Sequence, residues 1–273
     1  MMAAKHQPAG FREAVAMLRR KGLVPSNMST ADWARVAEDL RRQAFFSSRV
    51  TNAQTLQTMF DALQPAVAPE SVAGTPGTYM DKARFREIVK DHLARIGYAP
   101  EPGKADGLQD LSADARLGVI FETNTRMAQG NGRFIQANNP NVVDAFPAQE
   151  LFRLSPRREP RNWPARWQAA GGRFFGGGRM IDLKSSEIWR RLSIWDSPAP
   201  PYDWGSGMWV RSIARAEAED LGVIERGASA KPNAQAAEMA AQASSKGLAG
   251  GLLDALVKSL GPGAKVKDGV LSI

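Results

Sequence analysis

The chain has 273 residues with a formal net charge of +8, and 43% of it is hydrophobic and 23% charged, so it can bury a substantial core and is neither fibrous nor disordered as a whole. It has no cysteine and two histidines, His6 and His92, which excludes disulfides, thiolate zinc sites and cysteine nucleophiles and leaves histidine-based chemistry poorly supplied. No apolar run reaches the roughly 18–20 residues that cross a bilayer, and the N-terminus lacks the apolar core of a secretory signal, so a soluble intracellular protein is expected.

The first half reads as helix after helix. Phe11, Val15 and Leu18 recur at helical spacing up to Gly22, which supplies a stop. Thr30 is placed to cap a second helix, whose stripe of Trp33, Val36, Ala37, Leu40 and Ala44 carries it to about Phe45. Leu56, Met59, Phe60 and Leu63 predict a third helix over 51–63, which Pro65 should end. After a loop rich in Pro, Gly and Ala, Phe85, Ile88, Val89, Leu93 and Ile96 form the stripe of a fourth helix, with Gly97 where a C-cap belongs. A fifth begins at the N-cap Ser112 and runs through Leu117, Ile120, Phe121 and Ala128, with Gly130 and Gly132 weakening its end. Within it, Thr123 and Asn124 are read as polar groups that fix helix packing by hydrogen bonds rather than as a recognition surface.

Beyond Pro140 the texture changes to short apolar pieces separated by Pro and Gly, predicting strands near 151–154, 179–183 and 208–213. Six of the seven tryptophans lie here, so this part should be a compact aromatic-rich subdomain. Arg215 to Leu221 predicts a short helix closed by Gly222. Residues 227–247, rich in Ala, Gln and Ser, read as a linker or a weakly held helix, and Leu248, Leu252, Leu253, Leu256, Val257 and Leu260 make a last amphipathic helix.

Three stretches then carry a resemblance: FREAVAMLRRKGL at 11–23, RRQAFFSSRVTNAQTL at 41–56 and RLGVIFETNTRMAQGNGRF at 116–134. In this order, with Lys21-Gly22 as a turn, Ala44-Phe45 as an Ala-Phe segment and Arg116, Ile120, Thr123 and Asn124 on a later helix, the chain resembles the phage Mu F-like minor head protein family across roughly residues 8–215. The resemblance implies a low-copy head protein of a phage or prophage that associates with portal or scaffold during capsid assembly. Some members are implicated in contact with packaged DNA. Many members end in a Gly, Cys, Arg, Cys type stretch with nearby histidines, whereas here Pro200-Pro201-Tyr202-Asp203-Trp204-Gly205-Ser206-Gly207 stands without either residue, so no metal site carries over.

Between Arg153 and Arg191 ten basic residues face three acidic ones, which concentrates most of the chain's excess charge in one segment. Arg153, Arg157, Arg158, Arg161, Arg166, Arg173 and Arg179 are therefore candidates for contact with nucleic acid, double-stranded DNA above all, or with an acidic protein partner; a solvated rim is the bland alternative. Leu248, Leu252, Leu253, Leu256 and Leu260 are candidates for docking into a groove of another subunit, and folding back on their own domain is the equal alternative. The glycines at 171–172 and 176–178 lack the Lys-Ser or Lys-Thr of a phosphate-binding loop and read as a hairpin. Ser206 lacks a Gly two residues before it and a nearby histidine, so it reads as part of a tight turn that starts a strand.

The expectation is an α+β protein with a helical domain over 1–138, a mixed Trp- and Arg-rich subdomain over 139–226 and, over 227–273, a linker with an amphipathic helix in an extended tail. No catalytic residue, metal or cofactor is assigned. The expected partners are the phage portal protein, scaffold or major capsid protein, together with double-stranded DNA but no membrane. The expected location is the host cytoplasm during assembly and then the virion, in the capsid interior or portal region. The competing expectations are a free-standing DNA-binding protein and an enzyme of phage origin, either a nuclease or an ADP-ribosyltransferase toxin.

Overall fold

The computed structural model describes residues 12–67, 80–244 and 251–273, and its architecture is α+β with helix predominating. His6, Phe11 and Leu248 lie outside the described residues. The chain divides into two compact units, one formed by residues 1–129 and 246–273, the other by residues 130–245.

The first unit opens with α1 (Arg12–Arg19), after which β1 (Gly22–Leu23) pairs in parallel with β2 (Ala44–Phe45). Between them the expected single helix is two short ones, α2 (Thr30–Trp33) and α3 (Glu38–Gln43), and its cap is Ser29, one residue earlier than expected. The Ser29 hydroxyl accepts from the Asp32 N–H at 3.2 Å, while the Asp32 carboxylate accepts from the Ser29 N–H at 2.9 Å. This reciprocal pair needs an acid three residues after the cap; Thr30 would have met Trp33 there. The stretch from Ala44 to Phe46 departs from the helical stripe for a different reason. Ala44 belongs to one apolar cluster with Val24, Val36 and Leu256, Phe45 to another with Leu18, Leu56 and Phe85, and Phe46 packs against the first again. Only the period-two alternation of a strand sends consecutive side chains to opposite sides.

α4 (Ala53–Val67) runs past Pro65, which was expected to end it. Val67 is buried with Leu63 and Met59, and that burial holds the last turn although Pro65 donates no hydrogen bond there. α5 (Lys82–Arg95) is capped by Asp81, whose carboxylate accepts from the Arg84 N–H at 2.8 Å, and it ends where expected, the Tyr98 N–H reaching back to the Leu93 carbonyl at 2.9 Å across Gly97. Phe85, Val89 and Leu93 pack with Leu56, Met59 and Leu63. On the same face His92 is buried, its Nε2 3.0 Å from the Thr55 hydroxyl and its Nδ1 3.4 Å from that of Thr58, so it joins α5 to α4 as a packing group.

α6 (Asp114–Ala137) starts two residues after Ser112, whose N–H and hydroxyl both bond the Asp110 carboxylate instead of capping the helix. Asn124 returns its side-chain amide to the Ile120 carbonyl of its own helix at 2.9 Å, and Thr123 is buried. Gly130 and Gly132, expected to weaken the end of this helix, lie within α6, which continues to Ala137. A Cβ at Gly130 would overlap the carbonyl oxygen of Pro200, so glycine here serves close approach between two backbones.

The second unit continues with α7 (Pro140–Ala145), β3 (Ala148–Arg153), α8 (Trp163–Ala169), β4 (Phe174–Phe175), β5 (Arg179–Leu183), α9 (Ile188–Leu192), β6 (Met208–Ile213), α10 (Arg215–Asp220) and α11 (Gln235–Ser244). Its sheet is antiparallel in the order β4-β5-β3-β6. One sheet face carries Leu151, Met180, Met208 and Val210 against Trp163, Trp167, Trp189 and Tyr202. The other carries Ala148, Ile181 and Ile213 against Ala218 and Ile224. Both faces are covered, which explains the near-continuous burial at the start of β3. The glycines at 176–178 turn β4 into β5 as a hairpin. In the 227–247 stretch, α11 buries Ala236 and Met239 and so is a held helix.

The chain then returns to the first unit. α12 (Leu252–Leu260) buries Leu252, Leu256 and Leu260 with Val24, Met28 and Val36, and β7 (Lys265–Lys267) and β8 (Val270–Ser272) form a hairpin that buries Leu271 in the same cluster. The Ser26 hydroxyl donates to the Leu271 carbonyl at 2.7 Å, and the Leu271 N–H donates to Pro25 at 2.9 Å. Residues 252–273 are thus not an extended tail. Of the leucines considered for docking elsewhere, Leu252, Leu256 and Leu260 are core residues of their own unit, and Leu253 is half-buried against them. An apolar face finds its nearest unfilled apolar surface, and here that surface is on the same chain.

Candidate functional site

The arginines singled out from the sequence divide into three settings within the second unit. The first is the loop end of the sheet. Leu154 and Ser155, just beyond β3, donate their N–H groups to the Gly207 carbonyl at 2.8 and 3.1 Å. Arg157 donates its Nε to the Gly205 carbonyl at 2.6 Å and leaves its Nη2 without an acceptor among the described residues. Gly207 has a φ of 68°, and a Cβ there would overlap the Ser155 carbonyl, so glycine is what lets the two loops touch.

Next to this contact Arg166 and Arg161 converge on one oxygen of Asp203, at 2.8 and 3.2 Å. Arg166 also stacks 4.8 Å over the Trp163 ring. The Ser206 hydroxyl donates to the Pro201 carbonyl at 2.6 Å and accepts from the Met208 N–H, which fixes the turn into β6 and leaves it buried and engaged.

On the sheet face away from the tryptophans lies a second setting. Glu150 of β3 is nearly buried, and one carboxylate oxygen accepts from Arg179 of β5 at 2.7 Å and from Arg211 of β6 at 2.8 and 2.9 Å. Burial alone would raise its pKa, but the two guanidinium hydrogen bonds outweigh it and leave the carboxyl below its ordinary range. Arg179 also reaches Glu217 at 2.7 Å, and the hydrogen bonds to these two acids push its pKa further up. Arg179 is therefore committed to its own fold.

The third setting comprises Arg153 at the exposed end of β3, Arg158 in the loop beyond it, and Arg173, whose guanidinium lies 5.8 Å from the Phe175 ring. No ion pair joins Arg153 or Arg158 to another described residue. The charge excess counted along the sequence is thus reduced at the surface by pairing. Arg190 likewise holds Glu187 and Asp196, both at 2.9 Å.

Lys184, part of that same count, does not face solvent at all. It is fully buried, donates from Nζ to the Ala137 carbonyl at the end of α6 at 3.0 Å, and lies 5.9 Å from the Phe146 ring. Burial lowers its pKa from 10.5 to about 8. Because the folded chain releases this proton before the unfolded chain does, Lys184 makes stability rise with pH above about 8, up to its unfolded pKa of 10.5. Lys21, held against the Ala44 carbonyl at 3.1 Å and lowered to about 8 first by burial, acts in the same direction. Buried Tyr202, whose pKa burial raises, opposes both above about pH 10. The denaturation midpoint is expected to increase from pH 7.5 to 9.5, and Lys184→Met to flatten that slope in urea titrations monitored by tryptophan emission. An unchanged slope in the variant would mean that Lys184 is solvated.

Three features of this region carry no signal in the sequence. Arg211 lies outside the Arg-rich stretch, and only strand register puts it beside Glu150. Asp203 and Glu150 neutralise arginines distant in sequence. Leu154, Ile194 and Trp204 are 53%, 43% and 38% exposed, within a part expected to be a compact aromatic-rich subdomain. Among the described residues no group of three or more His, Asp or Glu side chains is placed to hold a metal ion, and no helix is long and apolar enough to cross a membrane.

With this geometry in place, comparison gives one informative likeness. The chain is similar to "Putative capsid assembly protein F" of Escherichia phage Mu, 26% identical over 227 residues, which is 80% of this chain. It spans less than half of that relative, 44% of its length. No family model and no solved structure matches the chain. The likeness covers most of the chain, so it is not confined to one of the two units.

Proposed function

We propose that this chain is a minor head component of a phage or prophage that acts by binding other head proteins, portal, scaffold or major capsid protein, during capsid assembly. The observation that carries the reading is the similarity over 80% of the chain to a protein named for capsid assembly. The geometry is consistent with binding alone: the Ser206 hydroxyl and the His92 ring are both taken up in packing, and the buried lysine serves a helix end. Assembly would take place in the host cytoplasm, and the protein would remain in the capsid interior or portal region.

A second reading, contact with packaged double-stranded DNA, is favoured by the net charge of +8 and by the outward Arg153 and Arg158. One experiment separates the two. Nuclease-treated extracts co-expressing the full chain with portal, scaffold and coat proteins are expected to yield a complex that survives DNA removal, and crosslinking of purified proheads is expected to join the chain to those subunits. Duplex binding that falls steeply with salt, with no head protein retained, would replace the first reading by the second. Turnover of a substrate lost on replacing one polar side chain would overturn both.

A further inference from the structure

Leu154 lies on the loop after β3, and Ile194 and Trp204 lie on the connection between α9 and β6, two loops that backbone bonds tie to each other. The Leu154 N–H is held by Gly207, the Ile194 N–H donates to the Tyr202 carbonyl at 3.0 Å, and Trp204 meets Trp195 edge to face at 5.1 Å. All three belong to the second unit, and all three are exposed. Arg157 is held to Gly205 and Arg161 to Asp203, the two neighbours of Trp204, while Arg153 precedes Leu154 and Arg158 follows Arg157 in the exposed loop. Of the acids in this region Asp203 is taken up by Arg161 and Arg166 and Asp196 by Arg190, and the exposed Glu159 stands against four arginines, so the net field presented outward by this end of the unit is positive.

We infer that this loop end is a docking surface for an acidic protein segment that carries apolar side chains. Tryptophan and arginine are the side chains that most often anchor protein interfaces, and Trp204, Arg157 and Arg161 are held in place before any partner arrives. Charge complementarity requires an acidic partner. The aliphatic residues decide between partners. A DNA duplex offers phosphates to the arginines but, thymine methyls apart, little apolar surface for Leu154 and Ile194 to bury, and nucleic-acid bases stack on flat rings rather than on leucine or isoleucine. An acidic segment with its own leucines or phenylalanines satisfies both halves of the patch. The inference rests on the head-assembly reading only for the source of that segment, a subunit of the phage head.

Two assays keep the two ideas apart. In the first, the full chain is titrated with a synthetic peptide alternating Leu or Phe with Asp or Glu, with the same peptide carrying Lys for each acid, and with a mixed-sequence DNA duplex. The acidic peptide is expected to bind and the basic one not. L154S combined with I194S, and separately R158E, should each weaken binding about tenfold, with thermal melts unchanged because all three positions are exposed. Absence of binding to the acidic peptide, equal binding by the variants, or duplex binding that R158E weakens and L154S/I194S does not, would each overturn the docking surface. In the second assay, the same variants are co-expressed with the head proteins. Undiminished capture of a head protein by the variants discards this surface and leaves the assembly reading standing. Patch-dependent peptide binding with no head protein captured keeps the surface and discards the assembly reading as the source of its partner.

Discussion

A chain ending at Ser244 is expected to lose the stable fold of its first unit. The truncation removes Leu252, Leu256, Leu260 and Leu271, four buried side chains that share a cluster with Val24, Met28, Val36 and Ala44. At about 1.5–3 kcal/mol for each buried leucine, the loss is on the order of 6–12 kcal/mol, comparable with the roughly 5–15 kcal/mol that holds a domain together. The Ser26 hydroxyl and the Pro25 carbonyl also lose their partners on Leu271. Leu252 leaves a gap over Gly22, against which its side chain closes. Hydrogen exchange should show amides of α4 and α5 losing protection, and dye binding should report the uncovered apolar face around Trp33, which stacks on Phe46 at 4.2 Å. A truncated chain whose first unit kept full amide protection would mean that the C-terminal hairpin is ornamental. The docking reading of these leucines makes the contrary prediction, since a segment reserved for a partner could be removed without cost to the monomer.

The second large effect is expected at Trp189. This side chain is fully buried between Trp167, 5.4 Å away and tilted, and Tyr202 at 6.3 Å, and its indole N–H donates to the Leu183 carbonyl at 2.7 Å. Trp189→Ala removes the centre of the aromatic layer beneath the sheet and should cost about 3–5 kcal/mol. Trp189→Phe keeps most of the ring volume and removes one of two donors to the Leu183 carbonyl, which retains the Ser186 N–H at 3.0 Å, a smaller cost of about 0.5–1.5 kcal/mol. Urea titrations of the second unit's tryptophan signal would order the two variants. Equal midpoints for Trp189→Ala and the unaltered chain would show that the layer tolerates a cavity of that size.

Local features of this fold were legible where one residue acts on its own neighbours. Gly97 closes α5, and the strands β5 and β6 fall on two of the short apolar pieces that Pro and Gly separate. The caps expected at Thr30 and Ser112 failed on local partners, Asp32 and Asp110, and the larger errors arose where the deciding partner is far along the chain. Ala44 and Phe45 fit a helical stripe until two separate cores claim them on opposite sides. Gly130 looks like a helix breaker until Pro200 is placed against it.

The same distinction runs through the candidate site. Its composition was visible: an arginine-rich stretch among tryptophans, without cysteine and with little histidine. Its surface was not, because charge along a sequence says nothing about which charges meet. Glu150 withdraws Arg179 into the sheet, Asp203 withdraws Arg166, and Lys184 turns inward to a helix end.

What the sequence determined by itself is what depends on short range and on residue type: the helical first half, the mixed aromatic second part, and the absence of cysteine and scarcity of histidine. The tertiary structure alone decided which apolar faces are already filled and which remain open. Burial and ion pairing are set by whichever groups arrive in space, so the leucines of the C-terminus became core while Leu154, Ile194 and Trp204 were left to the surface.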